Sequence, residues 1–177
     1  METVELVAGT TNLAFVPGVH ANADRLREIA ATASTGIDAA TGLASDFLNQ
    51  FNEVSMLLDM AADDAEMLEE LEGWEARDYV SHFEASNFRD AALVLEAYAL
   101  CPADIRERFD AMSASLGAVI AGGIAACGAL EADAAGHASA ALAADVRARI
   151  DALSAVIHPA QRAPSNTDIS ALFAARR

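Results

Sequence analysis

Residues 24–60, DRLREIAATASTGIDAATGLASDFLNQFNEVSMLLDM, decide how this chain folds. Apolar side chains fall at Leu26, Ala30, Ala33, Ile37, Ala40 and Ala44, then at Phe47, Phe51, Val54 and Leu58, in steps that alternate four and three. That spacing draws one stripe along a helix, the seam by which a helix packs on a partner. Residues 21–60 are therefore expected to form one long helix, with Asn22 as its cap. Residues 24–60 alone would make a rod of ~55 Å at ~1.5 Å per residue. The stripe is small in its first half and bulky in its second, and Leu48, Met56, Leu57 and Met60 add apolar surface beside the bulky half. That end is expected to be buried on more than one side. Gly36 and Gly42 are read as helical glycines that let a partner come close at some expense in helix stability.

A second long segment follows at 102–158. Pro102 suits the first position of a helix. Ile105, Phe109, Met112, Leu116, Val119, Gly123, Ala126 and Leu130 again step by four and three, now from bulky to small. Laid antiparallel, 47–58 meets 105–119 and 30–44 meets 122–134, so bulk faces bulk and small faces small. Phe51 and Leu116 are expected inside that seam. After Leu130 the phase slips, and the next stripe is Leu142, Val146, Ile150, Leu153 and Ile157. Two arrangements fit: a turn near 131–136 into another antiparallel helix, or one helix carrying a stutter. The turn is favoured.

Between the two segments, residues 61–100 have a different texture. Asp63 and Glu66 have capping-box spacing for a short helix over 64–71, closed by Gly73. Short helices are also expected over 75–84 and 88–100, the latter with Asn87 and Asp90 as cap signals. Five of the ten aromatic residues lie here, and eleven acids against Arg77 and Arg89 supply nine of the sixteen excess negative charges. Residues 1–20, broken by Gly9, Pro17 and Gly18, read as a non-helical arm. Residues 160–166 read as a linker, and 168–175 as a short amphipathic helix capped by Thr167. The fold class is all-α: an antiparallel bundle of long helices, of the four-helix type, over 21–159. Short helices are inserted at 61–100, the arm precedes the bundle, and linker and tail (160–177) follow.

Composition narrows the function. The chain has 177 residues, a net charge of −16, and eleven basic residues that are all Arg. A field of that sign disfavours nucleic acid and anionic membrane, and no basic residue before Arg25 supplies a secretory start. Cys101 and Cys127 stand alone, as in a reduced, cytoplasmic chain. Residues 111–130 carry no charge, but they are mostly Ala, Gly and Ser between Asp110 and Glu131. They are read as a soluble helix, with no membrane span. The apolar arm (4–16) and the stripe 142–157 exceed what a two-helix seam covers, so a homodimer is expected.

No constellation for metal, cofactor or nucleophile emerges. None of the four histidines follows a Glu by three residues, as a di-iron bundle requires. Asp78 with His82 and Asp133 with His137 lie at i, i+4, where surface ion pairing accounts for them. There is no Lys to complete a phosphate loop and no Gly-x-Ser-x-Gly elbow.

Two features stand apart. Asp46 and Gln50 lie at i, i+4 beside the first stripe, and the tail TDISALF sits behind a linker in a form suited to docking in a groove. Together they resemble the chemotaxis response-regulator phosphatases, the CheZ family. The resemblance implies a regulator partner, Gln50 positioning the water that attacks an aspartyl phosphate, and Asp46 orienting a regulator lysine. It further implies a docking face of Asp168, Ile169, Leu172 and Phe173. Without that family in view, Asp46 and Gln50 read as solvated helix surface. The leading expectation is a non-enzymatic bundle that binds another protein, with the phosphatase as the alternative.

Overall fold

The structure, a computed structural model, describes residues 17–33 and 36–159, with side chains from residue 21 onward. The arm over 1–16 and the docking face Asp168, Ile169, Leu172 and Phe173 lie outside the described residues. Six α-helices make up the body: α1 (Pro17–Thr32), α2 (Asn49–Ala61), α3 (Tyr79–Ala85), α4 (Ala91–Leu100), α5 (Ala103–Gly128) and α6 (Ala132–Ile157). Two 3-10 helices, Ser45–Leu48 and Ala65–Leu71, precede and follow α2. Among the described residues the fold is all-helical, and its single β feature is the isolated bridge between Ile37 and Ala44.

The expected rod over 21–60 is broken. Helix α1 starts at Pro17, so Asn22 lies inside it and residues 17–20 belong to the helix rather than to an arm. The chain then turns between Ile37 and Ala44. Four of the five residues 32–36, Thr32, Ser34, Thr35 and Gly36, are poor helix formers. Asp38 competes for the backbone as well: its carboxylate accepts from the N–H of Ala40 at 2.8 Å and of Thr41 at 3.2 Å. Gly42 closes the turn at φ +74°, and a Cβ there would stand 2.5 Å from the carbonyl oxygen of Ala97. Only glycine meets both conditions. The turn is also bound to the far end of the chain. Buried Thr41 donates its hydroxyl to the carbonyl of Ile157 at 2.9 Å, giving the last turn of α6 a partner, and Asp38 Oδ2 lies 3.2 Å from His158 Nδ1.

The phase slip after Leu130 is a turn. Residues 129–131 reverse the chain, and α5 and α6 form a long antiparallel hairpin in which Leu142 fills the space over Gly123. The described residues thus hold two long helices, not a bundle built wholly of long rods. Helix α2 takes α6, not α5, as its main long partner. Ala62 meets Gly136 at the start of α6, while the turn ahead of α2 meets its end, so these two also run antiparallel. The pairing of 47–58 along 105–119 is therefore replaced. Phe51 and Leu116 are both buried, as the stripes require, and belong to one hydrophobic core. Of the four side chains expected to bury that end on a second side, Leu48 is buried and Leu57 packs partly buried on the core, whereas Met56 and Met60 are exposed.

Bulk concentrates at one end. Phe47 is fully buried among Phe51, Tyr79 and Phe109, with ring centroids 5.6, 5.2 and 5.3 Å away. Helix α1 lies beside α4, where Arg25 holds Glu96 through two hydrogen bonds of 2.7 and 3.0 Å. Both groups are exposed, so the pair adds little stability.

Candidate functional site

The acidic, aromatic stretch after α2 lines two adjoining concavities. Asp64, one residue beyond the expected cap, accepts from the N–H of Glu66 at 3.1 Å and starts the 3-10 helix Ala65–Leu71. Residues 74–78 are not helical, in contrast to the expected helix over 75–84; α3 starts only after Asp78, whose carboxylate caps it by accepting from Ser81 N–H at 2.8 Å. Those hydrogen bonds hold the Asp78 carboxyl below the ordinary carboxylate range. The stretch lies close on α5, and a Cβ on Gly117 would sit 2.6 Å from the Cβ of Ala76.

Gln50 fastens this stretch. Its Oε1 accepts from Arg77 N–H at 3.0 Å and its Nε2 donates to the Arg77 carbonyl at 3.2 Å. Both ends of the amide that resemblance would assign to water positioning thus hold a backbone. Asp46 lies half-buried in the 3-10 turn ahead of α2, so the two residues do not share a continuous α-helix.

Between the 3-10 helix Ala65–Leu71 and the α5–α6 turn lies a groove of about 770 Å³. Buried Leu71, Cys127 and Ala135 are at its base, with Leu68, Trp74 and Ile124 partly open above them. Trp74 is the single tryptophan of the chain, and its ring also packs against Phe51 at 6.3 Å. One rim carries Glu66, Glu69, Glu72 and Glu75, all exposed, and no basic residue lines the groove. The other wall is α5. A second groove of about 880 Å³ adjoins the first, sharing Glu75 and Ala121, and continues along α5 past Ala118 and Ala114.

Helix α5 is long and apolar enough, by length and composition alone, to cross a membrane, yet only 28% of its most apolar eighteen-residue window is buried. The open face consists of Ala111, Ala114, Ala118, Ala121 and Ala125, with Leu130 beyond it. Small side chains let another helix approach closely, and the absence of charge makes that approach inexpensive in desolvation.

The reactive side chains elsewhere are held in quiet forms. Burial pushes the Cys101 thiol up to about 11 and the Tyr98 phenol up to about 12, the latter also donating to Asp110 at 2.9 Å. Burial and Arg77 lower the pKa of His82, whose ring edges pack on Phe47 and Phe83. The expected i, i+4 ion pairs take other partners: Asp78 serves Ser81, and His137 Nδ1 lies 2.7 Å from the backbone carbonyl of Asp133. Among the described residues no three His, Cys, Asp or Glu side chains converge as metal ligands. The groove residues Trp74, Leu71 and Ile124 were not legible as a site. The charge-free run 111–130 and the acidic run 63–75 were each visible, and only the fold sets one against the other. Compared with known protein families, curated proteins and solved structures, the chain matches none.

Proposed function

We propose that this protein is non-enzymatic and acts by binding a helical protein segment in the groove between Ala65–Leu71 and the α5–α6 turn. One observation carries the reading: an open apolar groove whose rim is four glutamates and whose far wall is a charge-free helix face. Such a surface suits an amphipathic helix with apolar anchors and basic flanks, since the anchors are desolvated while the rim supplies complementary charge. A homodimeric, cytoplasmic protein fits the same reading. The phosphatase alternative draws less support, because the Gln50 amide is engaged with Arg77 at both ends.

Trp74 makes the test direct. Titrating a synthetic Leu/Arg amphipathic helix should shift its emission to shorter wavelength as water leaves the groove. Ala125→Glu places a charge on the open wall and should abolish the response without lowering the melting temperature. An emission spectrum unmoved by saturating peptide would remove the reading.

A further inference from the structure

Two end segments of this chain lie outside the described residues, and charge separates them as occupants of the groove. Residues 1–16 carry Glu2 and Glu5 and no basic residue, the same sign as the glutamate rim. Residues 160–177 carry Arg162, Arg176 and Arg177 against Asp168, in a chain of net charge −16. They also place Ile169, Leu172 and Phe173 at i, i+3 and i+4, one apolar face at helical spacing. Reach lets this segment come from the same chain. It departs from a fixed point, because Thr41 holds the Ile157 carbonyl at 2.9 Å and His158 Nδ1 lies 3.2 Å from Asp38 Oδ2. Leu142 packs over Gly123, so Ile124 on the groove wall is level with the middle of α6. Seventeen residues separate Leu142 from Pro159, ~25 Å along the axis. Passing across α5, ~12 Å wide, lengthens the direct path only to ~28 Å. The ten residues from Pro159 to Ile169 span up to ~36 Å.

Direction fits as well. Trp74 packs on Phe51, whereas Ala62, at the other end of α2 and leading into the 3-10 helix, meets Gly136 near the start of α6. A chain arriving from Pro159 therefore meets Trp74 and Ile124 first and Glu69 and Glu66 afterwards, and the segment's anchors precede its terminal arginines in the same order. Concentration then selects the chain's own copy. A short flexible linker holds its ligand at ~1 mM, so three anchors with a Kd of ~0.3 mM fill ~three-quarters of the grooves from the same chain, against ~3% from a second copy at ~10 µM. Resting on the binding role proposed for the groove, we infer that segment 167–177 of the same chain docks there as an intramolecular competitor, which a partner helix must displace. Ile169 lies beside Trp74 and Ile124, Leu172 and Phe173 follow toward Leu68, and Arg176 and Arg177 face Glu66 and Glu69. The rim charges are exposed, so they set orientation and salt sensitivity while the apolar anchors provide most of the affinity.

The experiment uses the full chain and its own tryptophan. Trp74 emission of the wild type should lie to the blue of that of Leu172→Ala/Phe173→Ala, and the difference should not change between submicromolar and high-micromolar protein. The Leu/Arg helix should shift Trp74 in both, with larger amplitude in the double variant and about fourfold tighter binding, since the wild-type groove is open only about a quarter of the time. Arg176→Glu/Arg177→Glu, which leaves the anchors in place, should behave like the double variant at low salt. Circular dichroism should show the same helix content in all three proteins. Wild-type emission that turns blue only as concentration rises, in step with dimerisation seen by light scattering, would assign the tail to a second copy and overturn the inference. If the wild type and both variants share one spectrum and one peptide affinity, the tail does not occupy the groove and this inference fails alone. If the three spectra coincide and the peptide moves none of them, both readings fail together.

Discussion

The two ends of this molecule are built on opposite rules. Around Phe47, large rings from four parts of the chain fill the interior and leave nothing open. Around Trp74 and Ile124, one face of α5 is left uncovered by the described residues, and small side chains stand against solvent. Both ends carry the same apolar periodicity in sequence. Periodicity states that a face is to be covered; it does not state by what.

The comparison breaks first at the closed end. Phe51→Ala and Phe47→Ala should each cost ~3–5 kcal/mol in chemical denaturation, because a buried ring leaves a cavity its neighbours only partly fill. A loss below ~0.5 kcal/mol at both would mean that the aromatic cluster is not the core. Ala118→Ser on the open wall should lie within ~0.5 kcal/mol of the wild type. Equal costs at the two ends would erase the distinction.

Gly42→Ala comes next, at ~1–3 kcal/mol, since the left-handed backbone is strained for Ala and the new methyl meets the carbonyl of Ala97. If the variant were as stable as the wild type, α1 and α2 would be joined in some other way. Gln50→Ala should cost ~1–2 kcal/mol by leaving the Arg77 backbone without its partner, and it should also red-shift Trp74 by loosening the groove wall. Asp46→Ala should scarcely change stability. Identical behaviour of the two variants would count against a structural role for Gln50.

Smaller effects sharpen the contrast. Protonation of His82 is disfavoured in the fold by burial and Arg77, while Asp46 and Glu53 oppose that shift. Its folded pKa lies below the ordinary ~6.5, so the unfolded chain binds the proton more readily. Stability should therefore decline as pH falls through ~6.5, and His82→Gln should flatten that part of the profile. A profile unchanged by the substitution would contradict the assignment. Smallest of all, the Ser139 hydroxyl is fully buried and has no hydrogen-bond partner among the described residues. Ser139→Ala should leave the melting point unchanged or raise it by an amount equivalent to ~1 kcal/mol or less, because an unsatisfied buried hydroxyl is itself destabilising. A clear loss of stability would reveal a partner for that oxygen.

Much of the core was legible. Ile37, Ala44, Phe47, Phe51, Val54 and Leu58 are all buried, as their spacing requires, even though the helix meant to carry them breaks between Ala33 and Ser45. The stripe survives because the turn, with its bridge between Ile37 and Ala44, keeps those side chains on the same side. The glycines were read as close-approach positions within a helix, and Gly42 is instead where the helix cannot continue. A positive φ leaves no mark in periodicity, since Gly is compatible with both readings.

From sequence alone came the all-helical class, the bulky buried parts of the stripes, the hairpin favoured near 131–136, the charge-free run over 111–130 and the acidic run before it; Ala40, Ala126 and Leu130 of the stripes are exposed. These follow from side-chain chemistry and repeat, which are local properties. Tertiary structure alone decided that α2 packs on α6, that Gln50 holds Arg77, and that the acidic rim stands across a groove from α5. Each of these pairs residues far apart in the chain. The energies that select one partner over another equally apolar one come from shape and reach in three dimensions, which spacing along a sequence does not encode.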